Sequence, residues 1–257
     1  MNNLISSIIL AIVQGITEWL PVSSSGHLLL AEKLLNYKAS LTFDVALHFG
    51  TLMSVFVYFG KDITEIIQDF LSLKFKTEKG KLGIYIIIAT IPAVIAGFFL
   101  KKIADLIFYD LKITALGFGI TGLILIIASI DYKKTKERLN AKKSIIIGLA
   151  QILSLLPGIS RSGTTISTGI LLNLEEKTAL KFSFLMSIPI IFGANILTIG
   201  NQTLPKELII ATFISFFIGL IVLHVLYKYI LTSRKNLLYF GLYALLLSII
   251  IAITIVL

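Results

Sequence analysis

Two short segments of this chain gather the residue types that chemistry uses. The first reads Gln14-Gly-Ile-Thr-Glu18-Trp-Leu-Pro21-Val-Ser23-Ser24-Ser25-Gly26-His27. The second reads Leu156-Pro157-Gly158-Ile159-Ser160-Arg161-Ser162-Gly163-Thr164-Thr165. In the first, Gln14 and Glu18 stand four apart, so a helix presents both on one face, and Pro21 ends that helix before a serine-rich turn. Ser23 to Gly26 open a second short helix whose free N–H groups attract anions, although plain capping uses the same residues. His27, beside Glu18 and three serines, is a candidate acid, base or nucleophile.

In the second segment, Arg161 is suited to grip phosphate through its planar fork. Gly163 lets backbone come close, and Ser162, Thr164 and Thr165 offer hydroxyls at another helix start. An ion pair with Glu18 is the competing role for Arg161. Face to face, the segments supply an arginine, two helix N-termini, a histidine, several hydroxyls and a carboxylate able to hold a divalent cation. That inventory suits phosphoryl transfer, where positioning and charge neutralisation dominate.

The elements that must position these residues are hydrophobic. Of 257 residues, 56% are apolar and 14% charged, against roughly 45–50% and 25% in soluble domains. An aqueous globule is excluded, and the surplus apolar surface must face lipid. The absence of cysteine rules out disulfides, thiolate zinc sites and a cysteine nucleophile. No P-loop, dinucleotide fingerprint or His-Glu-x-x-His zinc motif is present.

Six stretches reach the roughly 17–20 residues needed to cross a hydrocarbon core: Phe43–Gly60, Leu82–Leu100, Ile113–Ile130, Phe182–Gly200, Leu208–Tyr227 and Leu237–Leu257. Leu4–Val13 and Ser144–Leu156 are too short to cross. Each is followed by a polar break and a second short apolar run, Leu28–Ala31 and Ile166–Leu172. Each is expected to form a re-entrant helix, loop, helix hairpin, tolerated where protein or water surrounds the broken backbone. Met1 to Ser7 carries no basic residue, which argues against a cleavable signal peptide.

The net charge of +9 records loop placement rather than nucleic-acid binding. Alternating the loops places sixteen Lys and Arg on one side (Lys61–Lys81, Lys133–Lys143, Lys177 and Lys181, Lys228–Lys235) and six on the other, with Arg161 inside the second hairpin. The richer side is expected to be cytoplasmic, with both termini and the mouth of the first hairpin outside. The Lys-rich loops are also suited to anionic lipid head groups.

A shift of 137 residues lays Gln14 on Gln151, Ser23 on Ser160, Ser25 on Ser162 and Gly26 on Gly163. Repeats of opposite sense bring broken helices together near the midplane, where transporters place substrate. The expected fold is an all-α polytopic membrane protein, a single domain over 1–257. Six transmembrane helices and two re-entrant helical hairpins form inverted-topology repeats, roughly 1–130 and 138–257. Asp44 and His48, four apart at the start of a span, are weaker site candidates. His224 is read as structural, and Pro189 and Asn195 as marks of a kink or helix contact.

At these two segments the chain closely resembles the undecaprenyl-diphosphate phosphatase family, also called the bacitracin-resistance protein family. The pattern of Glu or Gln, three residues, Glu, then Pro-Val-Ser-Ser-small-Gly-His is similar to Gln14, Glu18 and Pro21–His27. Pro-Gly-x-Ser-Arg-Ser-Gly-x-Thr is similar to Pro157–Thr165, and the likeness extends to Phe43–Gly50, Ile91-Pro-Ala and Phe182–Pro189. The resemblance implies a multi-pass enzyme of the bacterial inner membrane, its site open to the outer face. The implied reaction hydrolyses undecaprenyl diphosphate to the monophosphate, recycling the carrier lipid for peptidoglycan and conferring bacitracin resistance.

By the same resemblance the cofactor is a divalent cation, Mg²⁺ or Ca²⁺, at Glu18 and Gln14, although Gln14 stands where many members have glutamate. The implied catalytic set is Glu18, Ser24, His27, Ser160 and Arg161. Ser23, Ser25, Gly26, Ser162, Gly163, Thr164 and Thr165 form the phosphate cradle. Either Ser24 or His27 is the nucleophile at this stage. The implied partners are the lipid substrate and membrane lipids, with no nucleic acid, and a homodimer is open. The alternative function is a lipid-phosphate flippase or anion transporter using the same site.

Overall fold

The structure, a computed structural model of the chain, describes residues 3–130, 136–199 and 206–256. Gly200, Leu257, Lys133 and Lys134, which close two expected spans and open one basic loop, lie outside the described residues. Eleven α-helices account for the described chain: α1 (Asn3–Thr17), α2 (Ser24–Leu34), α3 (Leu41–Tyr58), α4 (Gly60–Leu71), α5 (Glu78–Ile107), α6 (Leu111–Ser129), α7 (Ala141–Gln151), α8 (Arg161–Leu171), α9 (Glu176–Ile199), α10 (Lys206–Val225) and α11 (Leu237–Val256). Among the described residues there is no strand.

Among the described residues six helices are long and apolar enough to cross a membrane: Leu41–Tyr58, Glu78–Leu100, Leu111–Ser129, Glu176–Ile196, Lys206–Ile230 and Arg234–Val256. Their outer faces carry large exposed hydrophobics such as Phe98, Phe99 and Phe213. Pro92 and Pro189 sit inside α5 and α9, a placement tolerated where neighbouring helices satisfy the freed backbone groups. α4 is the exception in composition. It is amphipathic, and its Asp62 is bound by Lys79 and by Lys181, the latter at 2.6 Å. Those two ammonium groups tie it to the starts of α5 and α9.

Neither α1, about 22 Å long at 1.5 Å per residue, nor the eleven-residue α2, α7 and α8 matches a full span. They form two helix, break, helix pairs, α1–α2 and α7–α8. Three candidate spans separate the pairs in the chain. The packing is reciprocal. α1 lies on α10 and α7 lies on α5, while α3 meets α9 and α6 meets α11. Close approach needs small residues: a Cβ at Gly148 would run into the Ala89 carbonyl, and one at Gly117 into that of Pro157. The main core is built from Trp19, Val55, Phe59, Leu125, Ile147, Phe182 and Phe184, between the two pairs and the spans around them.

Candidate active site

The tips of the two pairs press together. Ser162 Oγ donates to the Leu20 carbonyl at 3.0 Å, and Arg161 Nη2 donates to Glu18 Oε1 at 2.5 Å. The second tip is anchored to α6 by Thr121, whose hydroxyl donates to the Gly158 carbonyl at 2.9 Å and accepts from Ser160 N at 3.0 Å. Gly158 holds φ +83°, and a Cβ there would strike the Thr114 carbonyl, so the turn requires glycine. Trp19 is fully buried, donates from Nε1 to Ser54 Oγ at 3.1 Å and lies under the Arg161 guanidinium. The indole fixes the depth at which Glu18, one residue earlier, emerges.

Both breaks restart as capped helices. Ser23 Oγ accepts from Gly26 N, and Ser160 Oγ from Gly163 N. The N–H groups at the start of each helix, Ser24 and Ser25 in one and Arg161 and Ser162 in the other, precede the first i→i−4 bonds. Ser23 adopts φ +69°, an unusual value for serine that costs about 1–3 kcal/mol and concentrates at functional sites.

Glu18 is the hub. Besides Arg161 on Oε1, its Oε2 accepts from Ser24 Oγ at 2.7 Å and Gln14 Nε2 at 2.9 Å, with His48 Nε2 at 3.5 Å. The carboxylate is only 4% exposed, a burial that demands such partners. Arg161 serves two sides: Nη2 is taken by Glu18, whereas Nη1 is buried with no hydrogen-bond partner. The ion pair with Glu18 thus occupies one nitrogen of the fork and leaves the other without a partner.

Glu18, Arg161 and His48 line a cavity of about 300 Å³, with Ser23, Ser24, Ser25, Ser160 and Ser162 among its walls. α3 contributes Asp44 and His48, and α9 contributes Asn195. Gly26, Gly163, Thr164 and Thr165 are not in the wall. A Cβ on Gly26 would meet Phe118 at 2.6 Å. Thr164 donates to the Ser160 carbonyl at 2.8 Å, and Thr165 shares a 2.7 Å bond with Ser183. The two threonines brace α8 rather than face the cavity.

His27 is also elsewhere. Its Nδ1 meets the Ser23 carbonyl at 2.7 Å, and its Nε2 meets the Tyr243 hydroxyl at 2.7 Å. A carbonyl can only accept, so Nδ1 carries the proton and, in the neutral ring, Nε2 accepts from Tyr243. Stacked on Tyr243 and edge-on to Phe118, the ring has no free lone pair and does not line the cavity. The role of acid, base or nucleophile expected for His27 does not agree with this placement. The histidine that reaches the carboxylate is His48.

The cation expected at Glu18 and Gln14 does not fit either. Both Glu18 oxygens are already engaged, and Gln14, though its Oε1 is unpartnered, does not line the cavity. Among the described residues the buried carboxylate oxygen without a partner is Asp44 Oδ1, and Asp44 is one of the residues lining the cavity. Asn195 went unread as a site residue. Its Nδ2 donates to the Ile191 carbonyl and its Oδ1 is unpartnered; a lone amide in an apolar span was the available signal. Asn195 also lines a second, apolar groove of about 750 Å³ between α3, α9 and α10, walled by Phe49, Met53, Phe192, Ile196 and Phe213. Cavity and groove thus adjoin. His224 touches only aromatic rings, Tyr58 and Tyr229, among the contacts described.

Fold and site together define a polytopic α-helical membrane protein with a polar cavity lined by Glu18 and Arg161 beside an apolar groove. Residues 7–250 match the family described as bacitracin resistance protein BacA, and the chain belongs to that family. It is similar to the undecaprenyl-diphosphatase of Thermosipho melanesiensis, 42% identical over 245 residues that cover 94% of this chain and 96% of that protein. It is similar also to the protein of that name in Korarchaeum cryptofilum, 38% identical over 90% of this chain and 92% of that one. The Methanococcus vannielii protein of the same name is 36% identical over 94% and 96%.

Proposed function

We propose that this chain is a membrane phosphatase that hydrolyses undecaprenyl diphosphate to undecaprenyl phosphate and inorganic phosphate. The reaction returns the carrier lipid to peptidoglycan synthesis and underlies bacitracin resistance. The observation that carries the reading is Glu18 bonded at once to the Ser24 hydroxyl and the Arg161 guanidinium, at 2.7 and 2.5 Å, in a cavity that adjoins an apolar groove. The family and its named relatives support the same substrate.

The diphosphate enters the cavity and its prenyl tail lies in the groove. Arg161 Nη1 and the free N–H groups at the two helix starts bind the terminal phosphate. As the phosphate draws on the guanidinium, Glu18 is released to accept the Ser24 proton. Ser24 Oγ bonds to the terminal phosphorus, the phosphorus–bridging oxygen bond breaks, and undecaprenyl phosphate departs. Water then attacks the phosphoserine, Glu18 returns the proton to Ser24 Oγ, and phosphate leaves. A divalent cation, Mg²⁺ or Ca²⁺, supplies neutralisation of the diphosphate charge when bound. The cavity is read as opening to the outer face of the cell inner membrane, a reading supported by the sixteen basic residues that alternation of the loops assigns to the opposite side.

The test is phosphate release by detergent-solubilised protein, which has no two sides to transport between. Farnesyl or undecaprenyl diphosphate is the substrate, with Mg²⁺ or Ca²⁺. Wild type should release phosphate, Ser24→Ala should not, and radiolabel from the terminal phosphate should be trapped as acid-stable phosphoserine. Acid-labile label would move the nucleophile to a histidine. No release with either ion would overturn the phosphatase reading in favour of transport.

A further inference from the structure

A lipid diphosphate brings several negative charges into a cavity whose basic lining is Arg161, already shared with Glu18, and His48. We propose that the divalent cation is anchored by Asp44 on α3, not by Glu18, and that the phosphate oxygens of the substrate complete its coordination. The inference rests on the phosphatase reading and deepens it.

Asp44 is 6% exposed and its Oδ1 has no hydrogen-bond partner. Among the described ion pairs Asp44 has none. The charged neighbour that acts on it is Glu32, another buried carboxylate, which lines a small recess with Asp44 and His48. A buried carboxylate facing a like charge requires a proton or a cation to settle it, and here Asp44 lines the cavity the diphosphate must enter. Glu18 is the opposite case, its two oxygens occupied by Arg161, Ser24 and Gln14.

Among the described residues no three His, Asp or Glu side chains converge into a protein-built metal cage. A small hard cation that keeps waters needs no such cage, because it binds through one or two carboxylates plus substrate phosphate. The same arrangement dictates the order of affinities: the cation binds the empty protein weakly and the diphosphate-loaded protein tightly.

The experiment is equilibrium dialysis of Mn²⁺ against the full chain in detergent, with and without methylenediphosphonate as a non-hydrolysable diphosphate. Protein-bound Mn²⁺ is read by electron paramagnetic resonance. In wild type the diphosphonate should tighten protein-bound Mn²⁺ at least about tenfold, the scale of one charge-assisted ligand. Asp44→Asn should abolish that gain, Asp44→Glu should keep part of it, and Glu18→Gln should keep it. Thermal melts of each variant identify any that do not fold. The proposal is overturned if folded Asp44→Asn keeps the gain, if Glu18→Gln alone loses it, or if wild type shows none.

Phosphate release measured in parallel separates this inference from the reading beneath it. Cleavage that persists after exhaustive chelation sinks the Asp44 cation and leaves the phosphatase. Absence of cleavage in a protein that still couples Mn²⁺ to diphosphonate upholds the site and sinks the phosphatase.

Discussion

Replacing Arg161 by lysine tests the division of labour between the two guanidinium nitrogens. Nη2 is committed to Glu18 at 2.5 Å while Nη1 is buried and unpartnered, so the planar fork can bridge carboxylate and phosphate at once. An ammonium keeps the charge but not the fork. In the free enzyme it satisfies Glu18, so the fold should survive. With substrate present it must choose, and one hydrogen bond to a charged group, about 1.5–3 kcal/mol, goes unmade. At about 1.4 kcal/mol per factor of ten, kcat/KM for phosphate release should fall about 10- to 150-fold. The melting temperature in detergent should stay near wild type. Arg161→Ala, by contrast, strands a carboxylate that is 4% exposed and should cost about 3–5 kcal/mol of stability, much of it restored in the double variant with Glu18→Ala. Lysine within threefold of wild type, or an alanine variant as stable as wild type, would refute the reasoning.

Tyr243→Phe removes the hydroxyl that holds His27 Nε2. It should lower stability by about 1 kcal/mol while phosphate release and its pH profile stay unchanged, whereas a catalytic His27 would shift the profile. Ile196→Trp fills the apolar groove. It should raise KM for undecaprenyl diphosphate about tenfold, the loss of roughly two buried methylenes at ~0.8 kcal/mol each, and leave that for a short prenyl diphosphate nearly unaltered. Asp62 lies on α4, outside the spans. Burial pushes its carboxyl up, but the ammonium groups of Lys181 and Lys79 prevail and hold it below the usual carboxylate range. A depressed folded value stabilises the protein above the unfolded value near ~4 and is lost as pH falls through the folded one. Asp62→Asn should thus melt slightly lower at pH 7, by about 1 kcal/mol or less for so solvated a cluster, and the gap to wild type should close as pH falls below about 4.

The spans and the two interrupted pairs were legible in the sequence because their causes are local. Lipid demands about 20 apolar residues per crossing whatever the neighbours, and Leu41–Tyr58 or Arg234–Val256 meet that demand alone. Gln14 to His27 and Pro157 to Thr165 stand out because polar residues break an apolar pattern, and the meeting of Glu18 with Arg161 needed only that both breaks lie at one depth.

Side-chain direction was not legible, because it depends on how each helix is rotated against partners far away in the chain. His27 looked chemical by its company, yet Tyr243, 216 residues on, takes its ring. Asp44, His48 and Asn195 entered the cavity wall because α3 and α9 pack on each other with those faces inward. The sequence alone determined which segments enter lipid and where the chain breaks, since solvent transfer acts residue by residue. Only tertiary packing decided which carboxylate oxygens are spent and which remain free, since a hydrogen bond needs two groups at one point in space.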